Sequence, residues 1–172
     1  MRLFVAINFN QETRSRLLAL RDELRGKSER GRFSPPENLH LTLALLGECN
    51  EKQSADAKAA MEASCIEPFP AYIDRIGRFK RNGSEIWWAG LRESKALLQL
   101  QQDLADKLSA MGFSLERRQY SPHVTLGREV VTSAEPWDVE PFGETVSAIE
   151  LMKSERIRGK LTYTPIYRRE KK

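Results

Sequence analysis

Leu39-His40-Leu41-Thr42-Leu43 is echoed by Pro122-His123-Val124-Thr125-Leu126. Both read as strands. Side chains on a strand alternate faces, so His40 and Thr42 share one face while Leu39, Leu41 and Leu43 take the other. The echo sorts the same way, with His123 and Thr125 against Val124 and Leu126. Each strand offers an imidazole and a hydroxyl side by side above an apolar floor. One His-x-Thr-x is close to chance, and a lone strand histidine is usually a surface or satisfied core residue. Here the pattern occurs twice and uses both histidines of the chain.

Working outward, the two motifs sit in matching surroundings. Leu3 precedes His40 by 37 positions, and Ile86 precedes His123 by 37. Both intervals run strand, amphipathic helix, loop, motif strand. Leu3-Phe4-Val5-Ala6 overlies Ile86-Trp87-Trp88-Ala89 at an offset of 83. This predicts an internal repeat, about residues 1–47 and 84–130, with two equivalent strands facing across a cleft.

The remaining elements follow from periodicity. Leu3–Ile7 reads as a buried strand. A helix runs from a cap at Asn10 to Arg25, with Leu17, Leu20 and Leu24 on one face. Lys27–Asn38 reads as a polar loop around Pro35-Pro36, and the motif strand Leu39–Leu46 is closed by Gly47. Glu51–Ser64 predicts a second helix. Ala71–Phe79 and Glu85–Leu91 predict a hairpin about Asn82-Gly83. Leu97, Leu100, Leu104 and Leu108 mark a third helix ending near Gly112. The second motif strand covers about His123–Arg128. A Pro-bearing loop is expected at Glu135–Pro141, then strands over Thr145–Lys153 and Leu161–Arg168.

With 172 residues, 40% hydrophobic and 30% charged, the composition is that of a soluble globular protein. The formal charge of +4 favours an anionic partner. Arg168–Lys172 reads as a solubilising tail. Cys49 and Cys65 lack metal-ligand spacing and read as free thiols in a reducing cytoplasm. No signal peptide and no membrane-spanning run are expected.

Two imidazoles across a cleft suit paired acid–base catalysis near neutrality, one taking a proton while the other gives one. Thr42 and Thr125 would donate to oxygens held between them, as a phosphate requires. Two histidines are an incomplete zinc set unless carboxylates join them. Arg128 is the nearest cation to the second motif. Strict alternation turns it away from His123, and a bulge at Gly127 would swing it back; an ordinary surface arginine is the other reading. Tyr120 would wall the cleft, stack a base, or belong to the core.

The sequence resembles the two-histidine phosphoesterase superfamily, within it the RNA 2′,3′-cyclic phosphodiesterases, also called 2′-5′ RNA ligase-like proteins. The likeness rests on Arg2–Ile7, on Asn38–Leu43 with Leu46-Gly47, on Pro122–Leu126 with Arg128, and on Tyr163-Thr164-Pro165. It implies a single α+β domain over residues 1–172, bilobal, with pseudo-two-fold lobes. Antiparallel sheets would line a central cleft with helices outside. It further implies hydrolysis of RNA 2′,3′-cyclic phosphate ends to 2′-phosphomonoesters, without metal or other cofactor. By the resemblance His40 is the proton donor and His123 the proton acceptor, while Thr42 and Thr125 hold phosphate oxygens. The expected partners are RNA or nucleotide 2′,3′-cyclic phosphate ends, with no membrane, acting on a cytoplasmic monomer. ATP-independent 2′-5′ joining of RNA ends is the nearby alternative, and a non-catalytic RNA-binding module the distant one. Glu51–Gly83 carries no matching residue and says nothing of substrate.

Overall fold

The computed structural model describes residues 1–116 and 119–171. Nine strands and three α-helices follow in the order β1 (Arg2–Asn8), α1 (Gln11–Gly26), β2 (Ser28–Phe33), β3 (His40–Glu48), α2 (Glu51–Ala63), β4 (Phe69–Arg81), β5 (Ser84–Leu91), α3 (Lys95–Ala110), β6 (His123–Thr132), β7 (Trp137–Val146), β8 (Ala148–Ile157) and β9 (Lys160–Glu170). They build two antiparallel sheets, ordered β3-β1-β8-β9 and β2-β6-β5-β4-β7. The α+β class with two antiparallel sheets and flanking helices is as the sequence implied.

Local chemistry explains the helices. The Asn10 side chain accepts from the Thr13 amide at 2.9 Å. Asn50 and Gln53 exchange bonds of 2.8 and 2.9 Å in a capping box. Caps of this kind contribute about 1 kcal/mol each. Leu17, Leu20 and Leu24 of α1 are buried, as are Leu97, Leu100, Leu104 and Leu108 of α3. Each such leucine stabilises by roughly 2 kcal/mol. The helices bridge the sheets: α1 follows a strand of the four-stranded sheet but packs on β2, β6 and β7 of the other, while α3 follows β5 and packs on β4 of the same sheet and on β3 of the four-stranded one. Helices therefore occupy one face of each sheet, and the motif side chains project from the other.

Four expectations need correction. The polar loop Lys27–Asn38 contains β2, whose Ser-Glu-Arg-Gly-Arg-Phe sequence lacks apolar alternation because it is an edge strand held by backbone pairing with β6. The loop Glu135–Pro141 is largely β7. Pro141 is tolerated because β7 is the other edge of that sheet, and the ladder skips there: Ile73 faces Phe142 and Arg75 faces Asp138. The strand expected over Thr145–Lys153 is two strands, β7 and β8, which lie in different sheets. The first strands of the repeat match at an offset of 82, not 83, because Asn8 faces His40 while Gly90 faces His123. A one-residue slip exchanges the two faces of a strand, so Leu3 points into the core where Ile86 does not. The basic terminal run is paired as far as it is described, through Arg168–Glu150 and Lys171–Glu67; Lys172 lies outside the described residues. No helix among the described residues is long and apolar enough to cross a membrane.

Candidate active site

Each motif strand keeps strict alternation for four residues and then breaks it. In β3, Leu41 and Leu43 are buried, His40 and Thr42 are not, and Ala44 is buried directly after Leu43. The register on β1 shows the extra residue: Val5 faces Ala44 but Ala6 faces Thr42. In β6, Leu126 and Gly127 are likewise consecutive buried residues, and Trp87 faces Gly127 while Trp88 faces Thr125. Bulges at equivalent places turn the next residue back toward the motif face. That residue is Leu45 in β3, 63% exposed, and Arg128 in β6, also exposed. Glu129 follows with φ of 52°. Burial lowers the pKa of His123, and the charge of Arg128 adds to it in the same direction.

The strands meet along a seam between the sheets. The Tyr120 hydroxyl, three residues before His123, donates to the Thr42 carbonyl at 2.8 Å. Tyr120 also packs on the core, and burial pushes its hydroxyl pKa up. Its oxygen is thus committed to tying one motif to the other. Ser34 reinforces the opposite side of β6, its hydroxyl donating to the Thr125 carbonyl at 2.9 Å. The Thr42 and Thr125 hydroxyls make no bond within the protein among the described residues.

Each imidazole is boxed by two aromatic rings. His40 stacks on Phe4 at 5.0 Å and meets Tyr163 edge-on at 5.3 Å. His123 meets Phe79 edge-on at 5.2 Å and Trp88 at 6.0 Å. Burial lowers the pKa of His40 from 6.5 to about 4. Burial also lowers that of His123, aided by Arg128 and opposed by the Ser121 carbonyl. That carbonyl lies 2.6 Å from His123 Nδ1. A carbonyl only accepts, so Nδ1 holds the proton and Nε2 is left with its lone pair. His40 differs, since its Nδ1 is buried without a partner, as are Asn38 Oδ1 just before the first motif and Trp88 Nε1 on the strand beside the second.

The structure therefore places His40, Thr42, His123, Thr125 and Arg128 on motif faces turned from the core, and puts Tyr120 between the strands. Phe4, Phe79, Trp88 and Tyr163 were not singled out as site residues by sequence reasoning. Phe4 and Tyr163 lay in stretches that carried the family likeness, and Trp88 lay in the repeat's first strand, but none of these signals pointed to a ring beside a histidine. Phe79 and Tyr163 arrive from strands far along the chain. Among the described residues no three His, Cys, Asp or Glu side chains gather as a metal set.

A family model described as the 2′-5′ RNA ligase superfamily matches residues 6–158. The chain belongs to that superfamily. An RNA 2′,3′-cyclic phosphodiesterase of Archaeoglobus fulgidus is 32% identical over 84% of this chain and 85% of its own. One of Escherichia coli is 31% identical over 97% and 94%. These place the chain in the two-histidine phosphoesterases, in the RNA 2′,3′-cyclic phosphodiesterase branch. Among solved structures, Escherichia coli LigT complexed with 3′-AMP superimposes with a TM-score of 0.85 at 27% identity, covering 98% of this chain and 97% of that one. A Thermus thermophilus protein matches equally, with a TM-score of 0.85 at 27% identity, over 99% and 97%. This superfamily member thus shares its sheets and helices with those structures along nearly its whole length.

Proposed function

We propose that this chain hydrolyses 2′,3′-cyclic phosphate ends of RNA to 2′-phosphomonoesters. The observation that carries the reading is the pair of His-x-Thr faces joined at one seam, with both threonine hydroxyls uncommitted and His123 Nε2 free to accept. Water attacks phosphorus and gives its proton to His123 Nε2. The bond from phosphorus to the 3′ oxygen breaks, and His40 protonates that oxygen. The products are a 2′-phosphomonoester and a 3′-hydroxyl. A protonated His123 and a neutral His40 remain, and exchange with water resets both.

The neighbours supply the rest of the chemistry. Thr42 and Thr125 donate to the non-bridging oxygens, whose charge grows toward the transition state. Arg128, brought round by its bulge, offers a cation to the same group. Tyr120 positions the two strands rather than stacking a base. His40 must carry a proton in a site that disfavours charge, and the bound phosphate anion provides the counter-charge that allows it. No step needs a metal ion. The two lobes act as one domain over residues 1–172, with equivalent halves about 1–47 and 84–130. The protein works as a monomer in the cytoplasm, where Cys49 and Cys65 stay reduced.

The deciding assay offers a panel of 2′,3′-cyclic and 3′,5′-cyclic phosphates with EDTA present. Release of 2′-phosphomonoesters from the 2′,3′-cyclic compounds alone is expected. Activity lost to chelation and restored by one divalent ion would overturn the metal-independent route. Joining of RNA ends, suggested by the superfamily's description, is the same step reversed with an RNA hydroxyl in place of water. It is read as a new 2′-5′ linkage when a second RNA end is supplied. Salt-sensitive RNA binding without turnover would instead mark a binding module.

A further inference from the structure

The motif-side faces of the two sheets differ in charge. Cross-strand rows fix which side chains share the face of the five-stranded sheet. His123 stands opposite Gly90, and Gly90 opposite Arg75. The next row is Thr125, Trp88 and Gly77. Toward the β4–β5 hairpin, Phe79 faces Ile86 and Arg81 faces Ser84, while on the other flank Arg32 faces Arg128. Arg30 lies two residues from Arg32 on the same side, opposite Val131. Five arginines thus share one face with two rings. Arg32 is paired with Glu129 and Arg75 with Asp74, each at 3.0 Å. Arg30, Arg81 and Arg128 pair with no carboxylate among the described residues. On the four-stranded sheet the position of Arg128 holds Leu45 and those of Trp88 and Gly90 hold Ala6 and Asn8, and Arg168 is held by Glu150 and Glu170.

The rings lie among these cations. The Arg81 guanidinium sits 5.7 Å from the Phe79 ring centre and that of Arg75 5.9 Å from the Trp88 ring. A Cβ on Gly77 would fall 2.2 Å from Trp88 Cη2, and one on Gly90 2.8 Å from Trp88 Cζ3. The indole therefore lies along the sheet over two glycines instead of standing off it. Cations following a strand with aromatic faces between them suit single-stranded nucleic acid, which stacks its bases and spaces its phosphates. Arg30 and Arg32 are two strand residues apart, about 6.7 Å, a reach comparable to one phosphate step of an extended chain.

We infer that this face is a track for the RNA strand leading up to the cyclic end, with Arg30 and Arg81 holding upstream phosphates and Phe79 and Trp88 receiving bases. Oligoribonucleotides are then held more tightly than cyclic mononucleotides. The inference rests on the proposed hydrolysis for its account of which RNA end is held.

The test compares a 2′,3′-cyclic mononucleotide with a short oligoribonucleotide ending in the same cyclic nucleotide. Wild type is expected to show lower KM for the oligomer. Arg30→Ala and Arg81→Ala should each raise that KM about five-fold, the upper range for an exposed ion pair, and leave mononucleotide turnover unchanged. The salt slope of oligomer binding should fall by about 0.7 for each contact removed. Arg30→Lys should retain most of the slope. Equal KM for both substrates, or an oligomer preference that survives Arg30→Ala/Arg81→Ala with its salt slope intact, would overturn the track. Titration of a 3′-phosphorylated oligomer into His40→Ala reads the track without turnover. If that binding depends on Arg30 and Arg81 while no cyclic phosphate is cleaved by wild type, the hydrolysis reading fails and the track stands.

Discussion

Filling the site with a nucleotide 2′-phosphate at neutral pH should protonate His40. Moving the imidazole pKa from 6.5 to about 4 corresponds to a penalty of roughly 3 kcal/mol on charging the ring. A phosphate charge about 4 Å away returns about 4 kcal/mol per unit charge at an effective dielectric near 20. The return exceeds the penalty, so the bound complex should hold His40 with a pKa at or somewhat above its ordinary value. The chain has two histidines, so ring-proton NMR can follow each through a pH titration, assigned with His40→Ala. Free protein should show His40 neutral down to about pH 5. With ligand, the same signal should titrate near neutrality, and binding at pH 7 should take up protons from buffer. A free His40 titrating at 6.5 or higher, or one that stays neutral with ligand bound, would refute the reasoning. The same depression bears on folding. The fold holds the neutral ring, so its contribution is complete above pH 6.5. It is lost as pH falls from there toward 4, by up to about 3 kcal/mol. His123, lowered in the same direction, adds to this acid sensitivity, and denaturant melts at pH 7 and pH 4.5 measure the sum.

Three further outcomes are expected. His40→Ala and His123→Ala should each lose roughly 10²–10⁴-fold in turnover; a substrate with a leaving oxygen that needs no proton should rescue His40→Ala preferentially, and preferential rescue of His123→Ala would reverse the roles. Thr42→Val and Thr125→Val should each cost about 1–3 kcal/mol in kcat/KM with Tm little changed, since valine keeps the β-branch; unchanged rates would reduce the threonines to sheet formers. Gly77→Ala would push a methyl against Trp88, costing about 2 kcal/mol and lowering Tm by roughly 4–8 °C, with altered indole fluorescence; an unchanged melt and spectrum would show that the indole is not held down as described.

The sequence disclosed what depends on near neighbours. Period-2 alternation around His40 and His123 marked the motif strands, and leucine spacing marked α1 and α3. It concealed what depends on a distant partner. Ser28–Phe33 becomes a strand because β6 lies beside it, and its own residues carry no apolar rhythm. Pro141 argued against a strand until β7 proved to be an edge. The direction of Arg128 turned on a bulge that Gly127 permits but does not compel, and the ladder from Thr125 to Val130 decides it. That rings would box each histidine could not be read either: Tyr163 stood in a stretch that carried the family likeness, but its contact with His40, like that of Phe79 with His123, is made across strands from other parts of the chain.

The order of strands has a consequence for synthesis. The four-stranded sheet takes β1 and β3 from the beginning of the chain and β8 and β9 from its end. Tyr163, which closes the box around His40, lies on β9. A nascent chain on the ribosome can pair β1 with β3 early, yet it must wait for nearly all the later strands before His40 is shut away from water. Until then only Phe4 covers its imidazole, and the other side is open to water. The polypeptide therefore completes the environment that distinguishes His40 only when β9 docks, and fragments that stop before β9 should be unable to supply it in full.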